Sequence, residues 1–279
     1  TIVAFGTSAP ELFVNLISNF KGAADIGVGN ILGANIAAIL LICGLAAMIS
    51  PIAVKKAAIR KEIPLGLLAI LALFLLANNF FIGKTATLSL GRIDGAILLF
   101  IFAVYLYFTF GLAKKNAFLK DQFAPKPMNN TGIFYHLLIG IVGLAFGGEL
   151  VVSSASQIAA GLGLSQMLIG LTVVAIGTTL PELFTSATAA FKKDADLAIG
   201  NIIGSVVFNI SFILGLNSFL KPIIFHTSLN WGIIISFAVL CLLFYFIIFG
   251  KKERRIERWE GAALFCGYLI YLAFMVMKG

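Results

Sequence analysis

Apolar runs recur from one end of this 279-residue chain to the other, each close to the ~20 residues that an α-helix needs to cross a bilayer core. Inside a bilayer every backbone polar group must be satisfied internally, so only helices or a closed barrel can span it. The runs are apolar on all sides, whereas barrel strands alternate apolar and polar residues. The sequence therefore predicts an all-α polytopic membrane protein.

The charged residues agree with this fold class. They make up only 11% of the chain, against about 25% in a typical soluble domain. The net charge of +8 does not indicate a nucleic-acid partner, because the basic residues lie in short loops rather than on one face. The three cysteines are scattered through apolar runs, so we expect inert packing rather than a disulfide or a metal site.

We predict about nine transmembrane helices, at approximately 1–20, 26–49, 63–82, 93–112, 133–160, 166–190, 197–217, 231–249 and 261–277. The loops between them would alternate between the two sides of the membrane. Fifteen of the twenty Lys and Arg residues then fall on one side: Lys55, Lys56, Arg60, Lys61, Lys114, Lys115, Lys120, Lys126, Lys192, Lys193, Lys251, Lys252, Arg254, Arg255 and Arg258. The positive-inside rule makes that side cytoplasmic.

A duplication organises the chain. Shifted by 171 residues, the segment 1–45 aligns without a gap on 172–216 and matches it at 21 positions, among them Gly, Thr, Pro, Glu, Lys and Asp. Five predicted spans separate equivalent helices, and an odd number requires the second copy to enter the membrane from the opposite side. Inverted repeats of this kind are typical of secondary transporters, whose substrate lies near the midplane on broken helices.

The duplication also defines the predicted domain organisation. We expect a first inverted repeat at 1–112, a cytoplasmic basic linker at 113–131 and a second inverted repeat at 132–279, all within one membrane domain. The second copy has a span ahead of Thr172 that the first copy lacks ahead of Thr1. The first repeat is therefore expected to be truncated at its N-terminal side.

Two carboxylates lie at equivalent positions of the two copies. Glu11 and Glu182 fall inside apolar spans, where a charge is costly and usually marks an ion path or a pairing. Each follows a proline, Pro10 or Pro181, which removes a backbone donor and frees a carbonyl one turn earlier. Hydroxyl side chains precede both prolines: Thr7, Ser8, Thr178 and Thr179. Inverted copies would bring the two glutamates face to face near the centre of the membrane.

This density of oxygen indicates a cation site. Calcium takes six to eight oxygen ligands in flexible geometry. Two close carboxylates in a low dielectric need one divalent ion, several monovalent ions or protons, and this need gives a basis for exchange. Two alternatives stay open, in which the glutamates share protons or only cap broken helices. Asn30 and Asn201, in the paired Gly-Asn motifs, are expected to bond between helices or to act as direct ligands.

These residues resemble a known family. GTSAPEL at 6–12, GTTLPEL at 177–183 and the segments GNILG at 29–33 and GNIIG at 200–204 resemble the alpha repeats of the cation/calcium exchanger superfamily, and most closely its prokaryotic sodium/calcium exchanger branch. The resemblance covers nearly the whole chain. It implies ten spans, so this chain looks like a member that lacks the first. It also implies an inner-membrane location in a prokaryotic cell.

The resemblance implies a ligand set as well. Calcium would be held by Glu11 and Glu182 with help from Thr7 and Thr178. The sodium sites would use two hydroxyls, two backbone carbonyls and two polar residues of the following helix: Ser8, Thr179, Ala4, Ala175, Ser205 and Asn209.

The first copy departs from this pattern. Where the family has Ser and Asn, this chain has Ala34 and Ala38, which offer no side-chain oxygen. Asn35 is adjacent, but it is rotated by about 100° around an ideal helix and is a doubtful substitute. The departure puts sodium coupling and its stoichiometry in question, and leaves the carboxylate pair untouched.

We therefore predict a secondary active antiporter that exchanges calcium for sodium by alternating access. The alternatives are a proton-coupled or sodium-independent calcium transporter, and a non-transporting truncated homologue. An intramembrane enzyme is disfavoured, because the two carboxylates have no nucleophile, His-based metal cluster or substrate domain beside them. We expect no cofactor and no obligate protein partner, only transported calcium and sodium ions and the surrounding lipid.

Overall fold

The computed structural model describes residues 2–78, 88–116, 130–250 and 254–278. Eleven helices account for most of them: α1 Ile2–Thr7, α2 Ala9–Phe20, α3 Ala24–Ile49, α4 Ile63–Ala77, α5 Arg92–Asn116, α6 Asn130–Leu162, α7 Gln166–Thr178, α8 Leu180–Phe191, α9 Ala195–Leu220, α10 Asn230–Phe249 and α11 Arg258–Lys278. The predicted all-α class is confirmed. Most of the predicted linker, 117–129, lies outside the described residues, as does the end of the third predicted span, 79–82.

Prolines divide two of the predicted spans. Pro10 stands in the first turn of α2, just after the break at Ser8, and Pro181 stands in the first turn of α8, just after Thr179. The axes of α7 and α8 differ by 46°. If α1 is counted with α2 and α7 with α8, the described part of the chain has nine helical segments, at the positions of the nine predicted spans. Four are individually long and apolar enough to cross a membrane, and the bent pair α7 and α8 makes five.

The equivalent helices α3 and α9 form the centre of the bundle. In each, 83% of the most apolar window is buried, against 33% in α5 and 39% in α10. Both contain a π-helical stretch at the same place in the repeat, Ala38–Ile42 in α3 and Phe208–Leu214 in α9. Short π stretches are rare and are found frequently at functional sites.

Glycine pairs let the outer helices approach the central ones. A Cβ added to Gly44 of α3 would lie 2.9 Å from the carbonyl oxygen of Gly261 in α11. A Cβ added to Gly95 of α5 would lie 2.6 Å from the carbonyl oxygen of Gly215 in α9. Small residues at such crossings are how membrane helices pack closely. Since Gly44 and Gly215 differ by 171 positions, the two crossings are repeat-related.

Two short ribbons tie the copies together at opposite ends of the bundle. Strand β1 (Ile52–Ala53) pairs antiparallel with β4 (Arg255–Ile256), and β2 (Ser89–Leu90) pairs antiparallel with β3 (Ile223–Ile224). β1 and β3 are repeat-related, and each pairs with a strand of the other copy.

The loop contacts sort into the two groups that the predicted topology requires. At one end, Lys55 pairs with Asp196 at 2.5 Å, beside the β1–β4 ribbon. At the other end, the Lys221 ammonium donates to the Asn19 carbonyl at 2.8 Å, and His226 lies 3.6 Å from Asp25. The first end carries the loops predicted to be cytoplasmic.

Large apolar side chains cover the outside of the bundle. Phe100, Tyr107, Phe249 and Ile270 are each at least two-thirds exposed. Contiguous apolar surface of this kind is rare on a soluble monomer and is what lipid contact requires. The exposed residues lie on the outer helices, whereas the polar ones described next are buried at the centre.

Candidate cation site

The two helix breaks meet at the centre of the bundle, where α3 and α9 cross them. Glu11 follows one break and Glu182 the other, and their exposed fractions are 0% and 2%. The two carboxyl groups are close enough to act on each other electrostatically. Among the described residues no three carboxylate, imidazole or thiol groups converge, so a cation here would depend on this pair and on neutral oxygens.

A hydroxyl links the two copies at this point. Ser8 donates a hydrogen bond of 2.7 Å to Oε1 of Glu182. Both oxygens of Glu11 and the remaining oxygen of Glu182 are buried and accept no hydrogen bond from the described residues. Buried polar groups are satisfied in the great majority of cases. Three carboxylate oxygens without a donor in one place are therefore available to a ligand.

The paired threonines cross over between the copies. Thr7 donates to Oδ1 of Asn201 at 3.2 Å, and Thr178 donates to Oδ1 of Asn30 at 2.9 Å. The two hydrogen bonds are equivalent in the repeat, because Thr7 and Thr178, like Asn30 and Asn201, are 171 positions apart. The expectation that these asparagines bond between helices is confirmed, and their bonds fix the threonines beside the carboxylates.

The symmetry is broken at the next residue. Thr179 occupies the place equivalent to Ser8, yet its hydroxyl donates to the Ala175 carbonyl at 2.9 Å instead of reaching Glu11. Glu182 therefore accepts a hydrogen bond from a hydroxyl of the other copy, whereas Glu11 does not. The carbonyl of Ala175 also accepts the Thr179 amide at 3.1 Å, and the carbonyl of Ala4 accepts the Ser8 amide at 3.0 Å. Both carbonyls predicted as ligands therefore keep their helical hydrogen bonds.

The polar residues of α9 lie beside this centre. Ser205 and Asn209 are 1% and 2% exposed, and neither the Ser205 hydroxyl nor Oδ1 of Asn209 has a partner among the described residues. Asn35 of α3 accepts a hydrogen bond of 3.1 Å from Nδ2 of Asn209. Asn35, a doubtful substitute by ideal helical geometry, thus contacts a predicted sodium ligand of the second copy. Asn209 lies within the π-helical stretch of α9, where the angle per residue departs from that of an α-helix.

An asparagine ladder beyond Glu11 was not expected from the sequence. Asn15 and Asn19 follow Glu11 at steps of four on α2 and meet Asn217 of α9. Asn217 donates to the Asn15 carbonyl at 2.9 Å and contacts the Asn15 side chain, and Asn19 donates to Oδ1 of Asn217 at 2.9 Å. The four-residue spacing of amides along an apolar span is the signal that could have revealed it.

Glu149 and the cysteines lie apart from this centre. Glu149 is half exposed and pairs with Lys21, so it joins α6 to the loop after α2. The three cysteines are free. Cys43 is buried, whereas Cys266 is exposed on the outer face of α11 and so does not pack inside the bundle.

The chain matches the family described as sodium/calcium exchanger protein over residues 1–111 and 132–277. It is 37% identical to CaxA of Alkalimonas amylolytica, over 97% of this chain and 85% of that protein. It is 33% identical to the inner membrane protein YrbG of Escherichia coli (strain K12), over 99% of this chain and 84% of that protein. Both alignments run through the two repeats and the segment between them.

A solved structure shares the fold. The structure of the sodium-calcium exchanger NCX_Mj soaked with 10 mM Na⁺ and no Ca²⁺ superposes with a TM-score of 0.68 at 31% identity, and the match covers 98% of this chain and 85% of that one. The crossing of the two helix breaks therefore lies within a transporter fold.

Proposed function

Because this chain belongs to the sodium/calcium exchanger family, we propose that it exchanges calcium for sodium, with both ions bound between Glu11 and Glu182. At the coarser level it is a membrane-embedded cation/calcium antiporter, like the exchangers of its family. It is not an enzyme. The antiport needs no cofactor, since the ions are its substrates.

The observation that carries the proposal is the set of three buried carboxylate oxygens that lack a protein donor. Two such charges in a low dielectric are stabilised by one divalent ion or by two or more monovalent ions. The hydroxyls of Thr7, Thr178 and Ser205 lie beside the carboxylates and supply neutral oxygens of the kind that calcium prefers. Sodium would draw on Ser8, Thr179 and Asn209 as well.

The same feature supports exchange by alternating access. Turning a site with two bare carboxylates from one side of the membrane to the other would cost much free energy, whereas an ion-occupied site is neutralised and turns at little cost. The site would therefore change sides with either ion bound and not when empty. We propose that the two inverted repeats, 1–112 and 132–279, form one membrane domain and rock about this site. The prokaryotic inner membrane is the proposed location, and the Escherichia coli relative, an inner membrane protein, supports it.

A second candidate rests on the two alanines. Ala34 and Ala38 are buried in α3 and bring no side-chain oxygen. The first copy therefore offers sodium fewer ligands than the second, and proton-coupled calcium transport is the alternative this favours. The carboxylate pair serves either coupling ion.

The test is calcium uptake by vesicles that contain the purified protein. An outward sodium gradient should drive uptake in the wild type, and Glu11→Gln should abolish it. Glu149→Gln makes the same chemical change in the half-exposed pair with Lys21 and should leave uptake unchanged. Uptake driven only by a proton gradient would replace the first proposal with the second. Full uptake by Glu11→Gln would refute the site itself.

A further inference from the structure

A cavity lies at the end of the bundle predicted to face the cytoplasm, remote from the glutamates. It has a volume of about 310 Å³ and lies between the helical turn that leads into α4 and the C-terminal end of α10. Three cations and three isoleucines line it: Lys56, Arg60, Arg254, Ile59, Ile247 and Ile248. Among the residues that the structure describes, no acidic side chain lines it.

The three cations have no acidic partner among the described residues. Their sequence neighbours do: Lys55 pairs with Asp196, and Arg255 lies 3.3 Å from an oxygen of Glu257. Lys61, next to Arg60, lies over the ring of Phe108 at 4.7 Å. Three cations without an acidic partner among the described residues are therefore gathered around one cavity, where a bound anion would relieve their mutual repulsion.

Arg254 is held in an unusual backbone conformation. Its φ of 58° lies in the left-handed region, where a long side chain is disfavoured and Gly or Asn is preferred. Two hydrogen bonds fix it there: its amide donates to the Ile247 carbonyl at 3.0 Å, and its carbonyl accepts from the Val54 amide at 2.7 Å. A strained residue held by its surroundings is a pointer to function.

The cavity lies at the end of a predicted transmembrane helix. Ile247 and Ile248 lie in the last turns of α10, and Phe249, the final residue of that helix, is 71% exposed. A ligand here would meet positive charge at one end and lipid-facing apolar surface at the other. Basic pockets at the cytoplasmic end of membrane helices fit anionic lipid head groups.

From this geometry we propose that the cavity binds the phosphate group of an anionic phospholipid, with the acyl chains running along Ile248 and Phe249. Arg254 and Arg60 would bind the phosphate oxygens through their guanidinium forks, and Lys56 would add a third charge. The proposal does not depend on which cation drives transport. Free phosphate offers the same oxygens but has no acyl chain for the apolar side.

The test is lipid retention by the purified protein, measured by native mass spectrometry after addition of phosphatidylglycerol or phosphatidylcholine. We expect the wild type to retain phosphatidylglycerol preferentially. The variant Lys56→Gln/Arg60→Gln/Arg254→Gln should lose that preference, at about fivefold in affinity for each charge removed. The matched control, Lys61→Gln/Lys192→Gln/Lys193→Gln, removes as many charges from the same end and should retain the lipid.

A single variant separates binding from folding. Arg254→Asn removes the charge but suits the left-handed backbone, so its unfolding midpoint in lipid-free detergent should equal or exceed that of the wild type. It should still retain less phosphatidylglycerol. Equal retention by the pocket and control variants would overturn the proposal. Competition by inorganic phosphate with no preference between the two lipids would overturn the assignment to a lipid.

Discussion

Glu182→Gln is the change that most directly probes the central pair. Glu182 accepts from Ser8 at 2.7 Å and shares its buried surroundings with Glu11, so the substitution keeps the shape and removes one of two charges. We expect calcium affinity to collapse while the fold is retained. The matched control is Glu149→Gln, which makes the same change at a half-exposed ion pair.

The magnitude follows from charge and burial. At about 4 Å and an effective dielectric constant near 20, two unit charges interact by about 4 kcal/mol. Losing even one such interaction with a divalent ion weakens binding about a thousandfold. Without ions the substitution relieves a repulsion of at most the same size, against which it weakens one hydrogen bond by about 1–2 kcal/mol. The ion-free variant should therefore be as stable as the wild type or more stable.

Thermal unfolding of the purified protein, with and without calcium, tests both expectations: the loss of calcium binding and the equal or higher stability of the ion-free variant. At a hundredfold excess over its dissociation constant, calcium stabilises the wild type by about 2.7 kcal/mol. For a chain of this size that is a rise in the unfolding midpoint of about 5–10 °C. The rise should vanish in Glu182→Gln and persist in Glu149→Gln. A calcium-dependent rise of equal size in Glu182→Gln would refute the assigned site.

Three further predictions concern the central helices and the packing of α5 against α9. Ala34→Ser/Ala38→Asn restores two oxygens and should steepen the sodium dependence of calcium uptake in vesicles; an unchanged dependence would mean that these positions do not contribute to coupling. Asn35→Ala leaves the buried side-chain amide of Asn209 without its acceptor, which should lower the free energy of unfolding by about 1–3 kcal/mol. In calcium titrations it should weaken competition by sodium more than it weakens calcium binding. Gly95→Ala places a Cβ 2.6 Å from backbone atoms of α9 and should lower the unfolding midpoint, whereas Gly111→Ala on the same helix, with no atom within 4 Å, should not; equal midpoints would contradict the close crossing.

Much of the fold could be predicted because its determinants are local in sequence. Hydropathy marks each span within a single run of residues, and Pro10 and Pro181 mark the breaks where they stand. The duplication adds the one long-range relation that a sequence can express directly. From it came the prediction that Glu11 and Glu182 meet at the centre and the expectation that Asn30 and Asn201 bond between helices.

The asymmetries between the copies could not be predicted in the same way. Sequence equivalence makes Thr179 the counterpart of Ser8, yet only Ser8 reaches a glutamate. Asn35 was a doubtful substitute on ideal helical geometry, yet it accepts a hydrogen bond from Asn209, which lies in the π stretch of α9. Each outcome depends on a side-chain rotation or a local change of helical pitch, which residue types alone do not specify.

The sequence by itself determined the membrane class, the inverted duplication and the buried carboxylate pair, because hydropathy, proline and a repeated motif act on neighbouring residues. Only the tertiary structure decided which oxygens lack a donor, how Asn217 joins Asn15 and Asn19, and where three cations surround a cavity. These features join helices some 200 positions apart in the chain. Their geometry is set by how the helices tilt and rotate when they pack, and that is a property of the whole bundle.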